Sequence, residues 1–378
     1  MASSGLQRTQ RIVLFGEGGT ALSAAACLRS HHITVISATN ERRLASLSRF
    51  VQKRIRLSGR SAAQVFNCLE SLRSCSEEQL FLFPCADAWM ETLTEDLPRT
   101  LQLGTMLPAT PEHLALTLDK CAFEREIKRL DLPRPATLCT LVDSDWMPPS
   151  YPFVLKPSST YKFEAQCGVK ATIIQDSQEW RSFDKRLLDQ HAFLAQEYLG
   201  GASISVCFCT TADGRLARSY ATEKVHFGSM RTGSRVATVT RPDAIQLASR
   251  FIRGTGFVGF GELEMIDSVR GLVCLELNAR PWSQVLMANS IGFPILEMAI
   301  GLMSGEEPPE CTDGITTPFE WINWDGDLLF RRAMRRAGRP IRPPMSLKRV
   351  YAQSFLRDPI PALVYAFTVS RMGPGRFV

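Results

Sequence analysis

Two adjacent segments in which apolar and polar residues alternate constrain the fold of this chain most strongly. Residues 259–266 and 272–281 both alternate with a period of two, which is typical of half-buried strands. The connection between them, residues 267–271, is short and ends in a glycine. Such a connection between two alternating strands predicts an antiparallel hairpin.

One face of this predicted hairpin is rich in oxygen-bearing side chains. It carries Glu262, Glu264, Glu276 and Asn278, together with Arg280. Like charges that face each other across a strand pair are destabilising, so we expect a cation between the carboxylates. Carboxylate and amide oxygens suit Mg²⁺ or Mn²⁺, and Mg²⁺ completes its shell with water and substrate phosphate. The hairpin therefore predicts a site for a metal-bound nucleotide, and the competing interpretation is a solvated strand face.

The composition narrows the class of protein. The 378 residues suffice for two or three domains, and 45% hydrophobic with 22% charged residues is usual for globular proteins. The net charge of +6 is mild and spread along the chain, so it gives no argument for a nucleic-acid partner and we expect none, though the charge suits an anionic substrate. Eleven scattered cysteines without Cys-x-x-Cys spacing indicate free thiols in a reducing cytoplasm. Residues 1–11 are polar and no apolar run of about 18 residues occurs, so we expect neither a signal peptide nor a membrane span.

The N-terminal region alternates predicted strands and helices, which indicates a parallel sheet. It opens with a strand at 11–15, a glycine-rich turn at 16–21 and a second strand at 33–37. The turn fits a loose dinucleotide fingerprint, but residues 37–40 lack the acid that would bind a ribose. A structural turn is therefore favoured over NAD or NADP binding. The proline-containing segment 108–111 marks a domain boundary.

Two lysines further along the chain, Lys120 and Lys156, lie in predicted regular elements, and Lys156 is placed where it could reach a phosphate. Lys156 ends an apolar strand at 151–157 and precedes a proline. Lys120 lies in a helix predicted at 111–130. Taken alone, each lysine also fits a surface position with a buried aliphatic stem.

These motifs together resemble a known superfamily. Glu264, followed about a dozen residues later by Glu276-Leu277-Asn278-Ala279-Arg280, resembles the metal-binding end of the ATP-grasp superfamily. The similar members are carboxylate–amine ligases such as biotin carboxylase, carbamoyl-phosphate synthetase and D-alanine–D-alanine ligase. Lys120, Lys156 and residues 196–199 precede that segment in the order that the superfamily has.

The resemblance implies an α/β fold with three parts. A Rossmann-like parallel-sheet domain would span 1–110. A two-lobed ATP-grasp domain would span 111–310, with a lid near 151–199. Residues 311–378 would form a C-terminal extension outside the resemblance.

The resemblance also implies two cofactors, ATP and Mg²⁺ (or Mn²⁺), and roles for individual residues. The metal ligands would be Glu264, Glu276 and Asn278. The nucleotide would be bound by Lys120, Lys156, Gln196, Glu197, Tyr198 and Leu199, with Ser203 where the superfamily often has a ribose-binding glutamate. The catalytic cations would be Lys224 over the phosphates, Arg280 on the transferred phosphoryl group, and the loop residue Arg231 or Arg235 on a substrate carboxylate or acyl phosphate.

The chain departs from the superfamily at residues 158–168, where a flexible loop would cover the triphosphate. Glycines usually dominate there, because backbone amides must approach phosphate closely. This segment has one glycine, Gly168, and offers hydroxyl groups and Lys162 instead.

The implied activity is ATP-dependent ligation of a small carboxylate and a small amine through an acyl phosphate, with release of ADP and phosphate. The substrates are not identified by the sequence, and a homodimer is left open. The alternative is a non-catalytic ATP-binding sensor or regulatory protein that retains the fold. An NAD(P) oxidoreductase is a third reading, opposed by the missing ribose acid.

Overall fold

The structure is a computed structural model that describes residues 10–41, 43–75, 78–227, 233–309, 318–343, 348–352 and 357–370. Its strands form three sheets. Within the described ranges we find no helix with the length and hydropathy that a bilayer span requires.

The first unit is a parallel sheet of four strands. Its elements are β1 (Gln10–Phe15), α1 (Gly19–Cys27), β2 (His32–Ala38), a 3₁₀ turn (Ala45–Leu47), β3 (Lys53–Leu57), α2 (Ala62–Ser74), β4 (Gln79–Pro84), α3 (Asp87–Thr94) and α4 (Leu97–Leu103). The strand order is β3-β2-β1-β4, with all pairs parallel, as the sequence predicts. Alternate residues of β1 face opposite sides: Ile12 and Leu14 pack with α1, whereas Val13 and Phe15 pack with α2 and α3.

The second unit is an antiparallel sheet of four short strands. Its elements are α5 (Pro111–Leu118), α6 (Lys120–Arg129), β5 (Thr137–Cys139), β6 (Phe153–Pro157), α7 (Thr160–Cys167), β7 (Thr172–Ile174), α8 (Ser177–Ser182), α9 (Arg186–Gln190) and β8 (Phe193–Glu197). The strand order is β5-β8-β6-β7. Aromatic side chains, among them Phe153, Phe163 and Trp180, fill the core beneath this sheet.

The third unit is a sheet of seven strands that contains the hairpin. Its elements are β9 (Ala202–Thr210), β10 (Leu216–Phe227), β11 (Gly233–Val239), α10 (Pro242–Thr255), β12 (Phe260–Ser268), β13 (Gly271–Asn278), α11 (Val285–Ser290), α12 (Ile295–Met303), β14 (Glu320–Ile322), α13 (Trp324–Arg336), β15 (Arg349–Tyr351) and α14 (Pro359–Ser370). The strand order is β13-β12-β9-β10-β11-β14-β15. Two strands from the C-terminal part, β14 and β15, therefore extend the sheet that carries the predicted metal ligands.

The hairpin forms as predicted, with one irregularity. Glu264 pairs with Glu276, but Met265 pairs with Cys274, so Leu275 is the extra residue of a bulge. Strict alternation along residues 272–281 predicts Leu275 on the same face as Leu277 and Ala279, whereas the bulge places Cys274 in the core with those two residues instead. The connection is also tighter than predicted, because the strand ladder continues to Ser268 and Gly271.

Three predicted helical or loop segments differ in the structure. The helix predicted at 111–130 is interrupted at Asp119, whose carboxylate accepts a hydrogen bond from the Cys121 backbone N–H at 2.8 Å and caps a new helix. Lys120 is therefore the first residue of α6. Residues 160–167 of the predicted triphosphate loop form helix α7, which ends at Gly168 with a φ of 74°. Residues 176–188, for which the sequence also predicts one helix, form two short helices, α8 and α9.

Candidate active site

A cavity of about 230 Å³ lies where the three sheets meet. It is lined by Asp87, Glu91, Thr117, Leu118, Lys120, Lys156, Thr160, Tyr161, Lys170, Ala171, Lys224, Glu264, Glu276, Asn278 and Arg280. Helix α3 of the first sheet, β6 and α7 of the second, and the hairpin of the third all contribute to this lining. Seven residues singled out from the sequence are thus brought to one cavity: Lys120, Lys156, Lys224, Glu264, Glu276, Asn278 and Arg280.

The hairpin places its two carboxylates directly opposite each other. Glu264 and Glu276 are cross-strand partners, and the Asn278 amide donates to Glu264 Oε1 at 3.1 Å. Glu262 does not line the cavity; it is 3% exposed and accepts a hydrogen bond from the Gln284 side chain at 2.7 Å. Burial and the nearby charge of Glu264 raise the pKa of Glu262 to about 7.

A lysine neutralises each hairpin carboxylate. Lys224 Nζ lies 2.6 Å from Glu264 Oε2, and Lys120 Nζ pairs with Glu276 Oε2. The Lys120 ammonium holds the pKa of the Glu276 carboxyl well below its usual range. Burial lowers the pKa of Lys224, but the charges of Glu264, Glu262 and Glu276 and the hydrogen bond to Glu264 together raise it above its usual value. The repulsion expected between the two acids is therefore relieved by cations on α6 and β10.

Two further lysines have no carboxylate partner within the described residues. These are Lys156, the last residue but one of β6, and Lys170, two residues before β7. Burial and the nearby Lys120 charge lower the pKa of Lys156 to about 8. An unpaired ammonium in a partly enclosed cavity favours an anionic ligand, so these two lysines suit phosphate oxygens.

Arg280 is fixed by a residue that the sequence analysis missed. Its guanidinium pairs with Asp87, the first residue of α3, and donates to the Asn278 side-chain oxygen at 3.3 Å. Burial alone would lower the pKa of Arg280, but the Asp87 charge raises it above its usual range. The signal in the sequence was an acid three residues after the end of β4, near the carboxyl end of a parallel strand, where α/β sheets bind ligands.

The predicted nucleotide linker adjoins the cavity but does not line it. Gln196 is buried and donates to Glu124 Oε2 at 3.0 Å, and it pairs with Val154 of β6. Glu197 accepts a hydrogen bond from the Ala136 N–H at 2.6 Å and also pairs with Arg270. The remaining members lie after β8 and in β9: Tyr198, Leu199 and Ser203.

Of the two arginines predicted to lie in a substrate-binding loop, the structure describes only Arg235. Arg231 lies outside the described residues. Arg235 is not in a loop; it is a fully buried residue of β11 whose Nη2 lies 2.7 Å from both carboxylate oxygens of Glu320. Its partner comes from β14, which pairs with β11. The expectation that Arg235 is available to a substrate is therefore wrong, because the tail strand buries it.

The segment predicted to cover a triphosphate joins the second sheet to the first. Ser159 Oγ donates to Glu91 Oε1 at 2.7 Å. The Arg60 guanidinium lies 4.6 Å from the centre of the Tyr161 ring and donates to the Tyr161 hydroxyl. Thr160 and Tyr161 belong to the segment whose hydroxyl groups the sequence analysis noted, although neither was singled out. Glu91 was missed, because no local pattern distinguishes it from a surface residue.

The donor set of the hairpin fits one divalent cation. Two carboxylates and one amide oxygen are within the number of protein ligands that Mg²⁺ takes. Among the described residues there is no group of three or more His, Cys, Asp and Glu side chains that could hold a metal. A cation here would therefore depend on Asn278, water and ligand oxygens to complete its shell.

Comparisons with known proteins identify the fold. A scan against protein-family models finds no match, and a search of curated proteins finds no relative. Among solved structures, the ADP complex of N5-carboxyaminoimidazole ribonucleotide synthetase (PurK) has a TM-score of 0.64 and 14% identity, with 89% of this chain and 87% of that chain covered. Biotin carboxylase from Campylobacter jejuni has a TM-score of 0.60 and 14% identity, with coverage of 78% and 71%. L-amino acid ligase from Bacillus licheniformis has a TM-score of 0.58 and 12% identity, with coverage of 79% and 75%.

These neighbours are ATP-grasp proteins, and the chain has the ATP-grasp fold. The resemblance inferred from the hairpin and the ordered lysines is thus confirmed at the level of the fold. At 12–14% identity the similarity shows the fold alone.

Proposed function

We propose that the protein is an ATP-dependent carboxylate–amine ligase that forms an amide through an acyl phosphate and releases ADP and phosphate. One observation carries the proposal: a single cavity gathers five cationic side chains around a paired set of metal-type oxygen donors. The cations are Lys120, Lys156, Lys170, Lys224 and Arg280. This concentration of positive charge suits a triphosphate and the charge that develops as its terminal phosphoryl group is transferred.

ATP and Mg²⁺ are the cofactors of this proposal. The structural neighbours include an ADP complex of PurK and a biotin carboxylase domain with MgADP and bicarbonate. In this chain Glu264, Glu276 and Asn278 would hold Mg²⁺, which when bound offsets negative charge on phosphate oxygens. Nucleotide contacts are proposed for Lys120, Lys156, Gln196, Glu197, Tyr198, Leu199 and Ser203.

The residues of the chain act by binding and orientation. Lys156 and Lys170 bind phosphate oxygens, because neither is neutralised by a carboxylate in the described residues. Arg280, held by Asp87, presents a fixed positive charge to the transferred phosphoryl group. An ionised substrate carboxylate is itself the nucleophile, so the reaction needs no nucleophilic side chain. Acyl phosphates hydrolyse, and the second sheet with α7 would act as the lid that excludes water.

A sensor that binds ATP without turnover is the second candidate. It is favoured by residues 158–168, which contain only one glycine and form a helix where closely approaching backbone amides would be expected.

We also infer a cytoplasmic location from the free thiols of all ten cysteines in the described part of the chain. A homodimer remains one candidate for the oligomeric state.

The test is nucleotide product analysis across a panel of amino acids and small carboxylates with Mg–ATP. We expect ADP and phosphate, in amounts that depend on the carboxylate. Hydroxylamine should trap the acyl phosphate as a hydroxamate. AMP and pyrophosphate as products would replace the mechanism with adenylation. Tight Mg–ATP binding with no turnover across the panel would support the sensor.

A further inference from the structure

Helix α3 presents two carboxylates to the cavity from the first sheet. Asp87 and Glu91 are four residues apart and share one helical face, while Met90 and Leu93 are buried in the core. Glu91 therefore lies one turn, about 6 Å, further along the helix than Asp87. Glu91 lines the same cavity as Arg280, Asn278 and the hairpin carboxylates, so a ligand bound there can meet all of them.

Glu91 differs from the other acids of the cavity in its partners. Asp87, Glu264 and Glu276 each form an ion pair, with Arg280, Lys224 and Lys120 respectively. Within the described residues Glu91 forms no ion pair; its Oε1 accepts a hydrogen bond from the Ser159 hydroxyl at 2.7 Å. Its Oε2 makes no hydrogen bond there. Three of the four acids are thus neutralised by the chain itself, and the fourth is held by a neutral donor with one oxygen available.

We propose that Glu91 binds the ammonium group of the amine substrate and accepts a proton from it. This proposal rests on the proposed ligase function and deepens it. A carboxylate that lacks a cationic partner in a partly enclosed cavity favours a positively charged ligand, and an ammonium–carboxylate bond is charge-assisted. Ser159 fixes the orientation of the Glu91 carboxylate, so that Oε2 is the oxygen that meets the amine. The amine class implied is therefore a primary amine that is protonated in solution.

The ammonium loses one proton to Glu91, and the neutral amine nitrogen attacks the acyl carbon. The carbon–nitrogen bond forms, the bond from the acyl carbon to the phosphate oxygen breaks, and phosphate leaves. The second proton lost by nitrogen goes to the departing phosphate, which gives an amide, hydrogen phosphate and a protonated Glu91 that releases its proton to solvent.

The experiment compares two acceptors in the variant Glu91→Gln. Hydroxylamine is mostly uncharged near neutral pH, so it needs neither a counter-charge nor a base. Glycine and methylamine are protonated there and need both. With the carboxylate that yields most hydroxamate in wild type, we expect Glu91→Gln to lose amide formation with the protonated amines by about 10²-fold, the usual scale for a general base. Hydroxamate formation by the same variant should stay within about threefold.

Two further variants serve as controls. Glu95→Gln changes an exposed acid one turn further along, which does not line the cavity, and should leave both reactions intact. Glu276→Gln should lose both, because it removes a proposed metal ligand. Equal effects of Glu91→Gln on the two acceptors would overturn the proposal, as would a wild type that makes hydroxamate but joins no amino acid or methylamine. Absence of hydroxamate from wild type would instead contradict the ligase function itself.

Discussion

At the scale of single residues, the cavity is defined by which lysines the chain neutralises. Lys120 and Lys224 are paired with the hairpin carboxylates, and their pKa values are raised, against the effect of burial, by those partners. Lys156 lies among the same groups without an ion pair, and burial followed by the Lys120 charge lowers its pKa to about 8. Lys156 is therefore the cation in this group that can lose its charge near physiological pH.

This difference predicts a pH dependence of nucleotide binding. Phosphate favours the charged form of Lys156, which is present below about pH 8 and lost as the pH rises through that value. Affinity for Mg–ATP should be constant below pH 8 and fall by up to about tenfold per unit above it. Titration calorimetry from pH 7 to about pH 9.5 measures this change.

The matched control is Lys156→Arg, because a guanidinium stays charged across that range. Its affinity should vary little with pH. The groups that face Lys156 include Lys120, Glu124, Glu264 and Glu276. If the affinity for Mg–ATP falls equally with rising pH in wild type and in Lys156→Arg, the titrating group is one of these neighbours or the ligand, and not Lys156.

At the scale of elements, the hairpin depends on a close approach that only glycine permits. A Cβ at Gly261 of β12 would lie 2.7 Å from the backbone oxygen of Asn278. Backbone atoms cannot move aside as a flexible side chain can. The close spacing of β12 and β13 at this point therefore supports the position of Asn278.

We expect Gly261→Ala to lower the free energy of unfolding by about 1–3 kcal/mol, the usual cost of overpacking. ATP turnover should fall as well, because the strand that carries Asn278 must shift. Urea unfolding measures the first effect. The control is Gly18→Ala, where no heavy atom lies within 4 Å of the added Cβ and φ is −71°, so the change should stay within about 1 kcal/mol. Similar losses in both variants would contradict a specific steric role for Gly261.

At the scale of the whole molecule, the C-terminal part is built into the sheet that carries the hairpin. The division into residues 1–110, 111–310 and 311–378 stays a proposal, but β14 pairs with β11 and with β15. The buried Arg235–Glu320 pair joins β11 to β14. Helix α13 adds a second polar contact to this sheet, because Oδ1 of its residue Asp327 lies 2.5 Å from Nδ1 of His226 in β10. Asp327 also pairs with Arg331 of the same helix.

Breaking the Arg235–Glu320 pair should therefore destabilise the entire protein. Glu320→Gln leaves the Arg235 charge buried without a counter-charge, and we expect a loss of about 3 kcal/mol in the free energy of unfolding. Glu223→Gln is the comparison, because Glu223 pairs with the half-exposed Arg342 at the protein surface. That loss should be under about 1 kcal/mol. If Glu320→Gln unfolds with the stability of wild type, the tail strand contributes little to the fold.

Much of the fold and part of the candidate site follow from local patterns in the sequence. The hairpin could be predicted because a period of two reports which side chains share a face of a sheet. Lys156 could be singled out because its strand and proline are its immediate neighbours. The order of the motifs along the chain was enough for the ATP-grasp fold, since each motif reports one element of it. The bulge at Leu275 escaped prediction because it depends on how two strands pair. The helix break at Asp119 escaped it because the Asp119 carboxylate also accepts a hydrogen bond from the Ser158 hydroxyl at 2.7 Å, 39 residues further along the chain.

What the sequence determined by itself was the set of oxygen donors on one hairpin face and the presence of lysines upstream. Only the tertiary structure decided how these groups pair. Asp87 meets Arg280 across 193 residues of chain, and Lys120 meets Glu276 across 156. From its position in a predicted loop, Arg235 was expected to bind a substrate, but it forms a buried ion pair with Glu320 of β14. Which charges pair depends on which distant elements pack together, and burial then strengthens each ion pair. Lys156, Lys170 and Glu91, which form no ion pair within the described residues, could therefore be recognised as unpaired only in the folded chain.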